Sequence, residues 1–356
     1  MIGLAGEDGG AFQDLAAHAR TFDRLPAVSE AFTPAHFESA VARAARALLP
    51  PGSRVLCAAS GGPDSAALAA ALSRLAGRLH LADLVLAHVN HQLRPSSAED
   101  ARTAGRLAEK LGLPLLVRSV TVAGGDGVED GARRARYGAL AEMARETGAT
   151  HVAAAHTRTD QAETVLLRLL RGAGPRGLSA MAASRALDGT VRLVRPLLSL
   201  PRARVHAYVA ALALPSCRDP TNDDVRFRRN ALREQVWPAL LAFSPALERR
   251  LSDLAEIARA DEAALDALAA AAMETLDDPG GVPARALAAL PPAVARRVVR
   301  RLAAAAGGGS PAARETARVL ALLPRGGTVH LPGDLAATVK RGRLTVGKRR
   351  RGRGDG

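Results

Sequence analysis

The chain has 356 residues, enough for two or three domains around a sizeable core, and at 48% apolar residues it is globular rather than disordered. Its formal net charge of +14, carried by arginine except at Lys110, Lys340 and Lys348, points to a polyanionic partner, while 3% aromatic residues argue against aromatic stacking as the main contact to nucleic acid. Two cysteines, Cys57 and Cys217, with no C-x-x-C pair, give no support to a structural zinc site or a redox dithiol.

Residues 1–31 show no periodic pattern and read as a loose extension. Met1 to Gly10 carries acid and no apolar run, so it does not read as a signal peptide, and no stretch is long and apolar enough to span a bilayer. A cytoplasmic protein is expected. Thr33-Pro34 reads as N-cap and first helical residue of a helix running to about Leu49, stopped by Pro50-Pro51-Gly52. Strands and helices then alternate. Strands are expected at Arg54–Ala59, Leu81–Val89, Leu115–Val122, His151–Ala155 and Val191–Arg195. Helices are expected near Asp64–Ala76, Ala98–Leu111, Glu129–Thr147 and Asp160–Arg171. The strands are continuous apolar runs, which fits a parallel sheet covered on both faces. The expected class is α/β, with a doubly wound parallel sheet over 32–218 and its ligand crevice at the carboxyl ends of the strands. Between Glu163 and Arg218 lies a basic connector with nine arginines after Glu163 and one acid, Asp188. Helical periodicity follows from Phe227 to about Ala306, broken at Phe243-Ser244-Pro245 and Pro279-Gly280-Gly281, and again over Ala312–Leu323. A small β meander is expected at Thr328–Leu331, Ala336–Val339 and Leu344–Val346. Residues 219–346 therefore read as a mainly helical domain ending in that meander, and 347–356 as a basic disordered tail.

Five segments carry chemistry. The first is Ser60-Gly61-Gly62-Pro63-Asp64-Ser65, set between a strand and a helix. Paired glycines let a backbone approach a phosphate, and a helix N-terminus favours an anion. No lysine lies between Pro51 and Glu109, so this is not the kinase-type phosphate loop. A plain turn with Asp64 as N-cap is the bland alternative. The second is His88-Val89-Asn90-His91-Gln92-Leu93-Arg94, at the end of the second strand, where imidazoles, an amide and a guanidinium suit a nucleotide; a satisfied core histidine is the alternative. The third is His156-Thr157-Arg158-Thr159-Asp160-Gln161-Ala162-Glu163-Thr164. Asp160 and Glu163 also fit a capping box, which needs no function. Asp160 and Asp64 together suit Mg²⁺, a hard cation. The fourth holds Arg133 and Arg136 on one helix face, placed for phosphate. The fifth runs from Asp219-Pro220-Thr221-Asn222 through Arg228, Arg229 and Arg233, whose arginines suit a phosphate backbone.

An S-G-G-x-D-S loop resembles the PP-loop of the ATP pyrophosphatase superfamily. Together with HVNHQLR, E-D-G-A-R-R-A-R-Y, H-T-R-T-D-Q-A-E-T, L-R-L-L-R-G-x-G-x-x-G-L, R-P-L-L and D-P-T-N…R-R-N-x-L-R, it resembles the tRNA(Ile)-lysidine synthase family. The resemblance covers about Val55 to Leu240 strongly and the rest loosely. It implies a PP-loop ATPase, Rossmann-like domain and ATP-dependent ligation of free lysine to C2 of the wobble cytidine of CAU-anticodon isoleucine tRNA, through an adenylated cytidine. By the resemblance, Ser60, Gly61, Gly62, Pro63, Asp64 and Ser65 hold ATP with His88 and Asn90. Asp64, His156, Asp160 and Glu163 are the expected catalytic residues, with Asp64 and Asp160 on Mg²⁺. Arg94, Arg133, Arg136, Arg168, Arg171, Arg228, Arg229 and Arg233 are expected at tRNA. Family members can be dimeric, and the sequence marks no interface. Thr221 stands where the family pattern has Ser, and the chain reads as lacking a further C-terminal domain of long members. The rivals are a tRNA thiolase, which needs paired cysteines or an iron–sulfur site, an amide-forming synthetase, which leaves the charge unexplained, and a nonenzymatic RNA binder, which leaves the intact loop unexplained.

Overall fold

The computed structural model describes residues 32–90, 97–121, 128–217, 228–276 and 280–349. The N-terminal extension, Arg94, the Asp219–Asn222 run and the basic tail beyond 349 lie outside the described residues, as do the side chains of Glu129 and Asp130. The chain divides into two compact units, Met1–Glu256 and Ile257–Gly356. The expected boundary at 218/219 lies inside the first.

The first unit opens with α1 (Pro34–Leu48), where Thr33 Oγ1 accepts the His36 amide and Pro34 occupies the first turn. Then come β1 (Arg54–Ala58), α2 (Pro63–Leu75), β2 (Asp83–Asn90), α3 (Ser97–Leu111), β3 (Leu115–Ser119), α4 (Val128–Thr147), β4 (His151–Ala153), α5 (Arg158–Leu170), α6 (Pro175–Leu178), β5 (Ser184–Asp188), β6 (Val191–Val194) and α7 (Arg202–Ala211). The sheet order is β3-β2-β1-β4-β6-β5, parallel except for β5, which pairs antiparallel with β6.

Strand alternation sends side chains to two cores, one on each face. Val55 and Cys57 of β1 pack with α1, α2, α3 and α7, whereas Leu56 packs with Leu140, Met143 and Ala144 of α4. Burial pushes the Cys57 thiol pKa up to about 12, so it is an inert core residue. Phe37 of α1 stacks on Tyr208 of α7 with ring centroids 4.3 Å apart, and the Tyr208 hydroxyl donates to Glu38 at 2.8 Å. The first unit ends in helices: α8 (Arg228–Ala231), a π-turn over Leu232–Val236, α9 (Trp237–Phe243) and the start of α10 (Leu247–Leu276). Trp237, Leu251 and Ala255 pack on Ala162 and Val165 of α5.

In the second unit, the rest of α10 is followed by β7 (Val282–Pro283), α11 (Ala284–Ala289), α12 (Pro292–Ala305), α13 (Ala313–Leu322), β8 (Gly327–Leu331), β9 (Leu335–Lys340) and β10 (Arg343–Lys348). The antiparallel sheet has the order β7-β10-β9-β8. Arg341 and Gly342 both take positive φ, 51° and 70°, which suits the two-residue turn between β9 and β10.

Two sequence expectations need correction. Gly62, not Asp64, is the N-cap of α2; Pro63 fixes the first turn and Asp64 sits one residue inside. Thr157, not Asp160, caps α5; Asp160 is the third helical residue and reaches back to the cap. The basic connector supplies β5, β6 and α7, all within the 32–218 span expected for the sheet domain.

Candidate active site

Strand order reverses between β1 and β4, which are adjacent and parallel. In an open α/β sheet the crevice forms there, outside the carboxyl ends of the strands. β1 leads into Ser60–Ser65, and β4 leads into His156–Glu163. Adjacency of these two strands is what brings two distant motifs together.

The loop is braced from within and without. The buried Ser65 hydroxyl accepts the Ser60 amide at 3.1 Å and donates to the Gly62 carbonyl at 2.8 Å. Gly61 takes φ +87°, and a Cβ there would lie 3.1 Å from the Asp100 backbone and 3.2 Å from Cys217 Sγ. The Cys217 amide donates to the Gly61 carbonyl at 2.8 Å. After Pro63, the first-turn amides of α2 have no intrahelical acceptor, which leaves donors for an anion at the helix N-terminus. His88 is buried beside the loop; its Nδ1–H donates to the Ala59 carbonyl at 2.8 Å, and its buried Nε2 has no hydrogen-bond partner. Asn90 is the last residue of β2, half-buried on the same edge.

Three carboxylates meet three guanidiniums next to this loop. Asp160 Oδ2 accepts the Thr157 amide and hydroxyl, both at 2.8 Å. Its Oδ1 accepts Arg202 Nη2 at 2.6 Å and Arg229 Nη2 at 2.9 Å. Glu163 is fully buried and accepts Arg233 through both oxygens at 2.9 Å and Arg229 Nε at 2.8 Å. Arg202 spans all three acids: beyond Asp160 it lies 3.4 Å from Glu163 and 3.4 Å from Asp64. Burial raises the Asp160 pKa, but Arg202, Arg229 and the Thr157 amide outweigh it and hold it at about 2. Burial lowers the Arg202 pKa, and the three acids more than restore it. His156 is held neutral: burial and then Arg195 lower its pKa to about 3.

The structure thus gathers Ser60–Ser65, His88, Asp64, His156, Asp160 and Glu163. It does not support the expected Asp64–Asp160 metal pair as such. Arg202 already bridges those two acids, and both Asp160 oxygens are taken. Asp64 fits a cation better, because its Oδ1 is buried without a hydrogen bond, 3.5 Å from His206 Nε2. Among the described residues, no group of three His, Cys, Asp or Glu side chains is placed to hold a metal ion. Of the arginines expected at tRNA, Arg229 and Arg233 point at carboxylates instead, drawn by buried charge. Arg168 donates to the Gly177 and Ala180 carbonyls at 2.8 and 3.2 Å and so braces α6. Arg133, Arg136, Arg171 and Arg228 are exposed. No helix among the described residues is long and apolar enough to cross a membrane.

Residues 35–240 match the PP-loop domain family, and residues 283–345 match the TilS substrate binding domain. A tRNA(Ile)-lysidine synthase of Salinispora tropica is 44% identical over 309 residues, covering 84% of this chain and 92% of that one. One from Methylobacterium nodulans is 46% identical over 248 residues, 68% of this chain and 71% of that one. The chain belongs to the tRNA(Ile)-lysidine synthase family. A solved U34-tRNA thiolase of Methanococcus maripaludis shares the fold, with TM-score 0.52 and 18% identity over 62% of this chain and 77% of its own. Sequence reading missed Arg202, Arg195 and His206 as candidate site residues. Arg195 and Arg202 stood in the arginine-rich stretch, but no spacing rule ties a residue near 200 to acids at 64, 160 and 163.

Proposed function

We propose that the chain joins free lysine to C2 of the wobble cytidine of CAU-anticodon isoleucine tRNA, using ATP. The observation that carries this reading is the Ser60–Ser65 anion loop lying beside the Asp160–Glu163 carboxylates at one sheet crevice. The loop amides and the α2 N-terminus hold the pyrophosphate end of ATP, with His88 and Asn90 on the nucleotide. The cytidine O2 attacks the α-phosphorus and pyrophosphate leaves. The lysine ε-amine then attacks C2, AMP leaves, and the amine loses its proton. Mg²⁺, with Asp64 as its protein ligand, would offset the charge of the leaving pyrophosphate. Asp160 and Glu163 attract the lysine ammonium once it competes with their arginines. Arg229 and Arg233, with the exposed Arg133, Arg136, Arg171 and Arg228, are then available to tRNA phosphates.

The test separates the two half-reactions. Incubation with CAU-anticodon tRNA and α-labelled ATP, without lysine, is expected to place labelled AMP on the RNA. Added lysine is expected to release that label. Absence of tRNA-dependent pyrophosphate release would refute the reading.

A further inference from the structure

His156 has a neighbour that no sequence motif connects to it. Arg195 follows β6 and is 3% exposed. Its Nε–H donates to His156 Nδ1 at 3.2 Å, and its Nη1 donates to the Ala182 carbonyl at 2.6 Å. A guanidinium carries five donors and no acceptor, and it stays charged at any working pH. His156 Nδ1 therefore holds a lone pair, and the one proton of the neutral ring sits on Nε2. A second proton on Nδ1 would break this hydrogen bond and set two cations against each other in a buried place.

The other charged groups acting on the ring are Asp160, Arg133 and Arg229. Asp160 is the one that favours a protonated imidazole, and its charge is already met by Arg202 and Arg229. Arg195 is itself held by Tyr137, whose ring centroid lies 5.2 Å from the Arg133 guanidinium and 5.1 Å from that of Arg185. His88, on the other side of the crevice, is fixed in the opposite sense, because its Nδ1 faces a carbonyl and must carry the proton.

We infer that Arg195 is a positioning residue that fixes His156 as a neutral Nε2–H tautomer, so that His156 offers a hydrogen bond to a substrate oxygen and accepts no proton during the reaction. This rests on the ligase reading for its chemical meaning. The tautomer itself does not depend on it. One consequence is that the proton shed by the attacking amine does not go to His156.

The test is the imidazole nitrogen NMR spectrum of the full-length protein labelled with ¹⁵N-histidine, with His156→Asn identifying the His156 signals. The expected wild-type result is a protonated Nε2 and a bare Nδ1 on His156, unchanged from about pH 5.5 to 8.5, with His88 showing the reverse tautomer. Arg195→Met is expected to free Nδ1, so that an Nδ1–H tautomer appears beside the Nε2–H one, and to raise the His156 pKa from its wild-type value while burial still holds it below 6.5. Arg195→Lys, which keeps a donor, is expected to retain the tautomer. A wild-type His156 that is protonated on Nδ1, or that titrates in this range, overturns the inference even if Arg195→Met fails to fold. So does a His156 spectrum unmoved by Arg195→Met. A wild-type protein with the expected tautomer but no lysine ligation would refute the ligase reading instead.

Discussion

Glu163 shows how strongly single residues constrain this site. A fully buried carboxylate is tolerable only because Arg202, Arg229 and Arg233 surround it. Glu163→Gln leaves three guanidiniums facing a neutral amide. We expect a loss of about 3 kcal/mol in urea denaturation, by the usual cost of breaking a buried ion pair; an unchanged midpoint would mean the arginines relax to solvent without penalty. His156 gives the pH dependence. Its folded pKa of about 3 lies below the ordinary 6.5, so the unfolded chain binds a proton the folded one does not. Stability therefore declines as pH falls below 6.5 toward 3, by about 2 kcal/mol at pH 5 for a 1.4 kcal/mol-per-unit linkage. His151, whose pKa burial also lowers, adds to the same slope. Asp160 acts lower: its stabilisation is complete above 3.8 and is lost as pH falls from there to about 2. His156→Asn should flatten the fall between pH 7 and 5, measured by urea midpoints; an equal fall in both proteins would contradict this. Asp160 and Glu163 were legible because they sit in one local motif. Arg202 and Arg195 were not, because their partners are remote in sequence and only the assembled sheet brings them close.

The Ser60–Ser65 loop owes its shape to neighbours on other elements. α3 packs its Asp100 backbone against Gly61, and Cys217, after α7, grips the Gly61 carbonyl. Gly61→Ala would strain a φ of +87° and press a Cβ onto that backbone. We expect it to cost on the order of 2 kcal/mol of stability and to weaken ATP binding about tenfold, read by calorimetric titration. Wild-type affinity in the variant would show that the loop can shift without loss. The parallel strands were legible from continuous apolar runs such as Val55–Ala59. β5 was not: Ser184-Arg185-Ala186-Leu187-Asp188 is an edge strand, mostly exposed, with no apolar run to mark it. β7 has two residues and exists only through its pairing with β10. These two helices start one and two residues earlier than expected, at Pro63 and Arg158, because Asp64 and Asp160 resemble N-caps, whereas Gly62 and Thr157 are the caps.

For the whole molecule, the deciding feature is a strand order that places the β1 and β4 ends side by side. The sequence named both motifs without fixing that adjacency, which belongs to topology. The arginines fall into two groups: Arg202, Arg229 and Arg233 neutralise buried acids inside the first unit, and others, Arg133 and Arg171 among them, are exposed. The second unit builds its own core, in which Val298, Val299 and Leu287 of the helices pack against Leu335, Ala337 and Leu344 of the sheet. Its match to the TilS substrate binding domain and the PP-loop match of the first unit meet in one chain. The most direct measurement is the transfer of radiolabelled lysine to unmodified isoleucine tRNA with a CAU anticodon, in the presence of ATP and Mg²⁺. The account predicts one lysine per tRNA, at position 34, with matching release of AMP and pyrophosphate. ATP cleavage with no lysine on the RNA, or the same labelling of a tRNA whose wobble base is not cytidine, would contradict it.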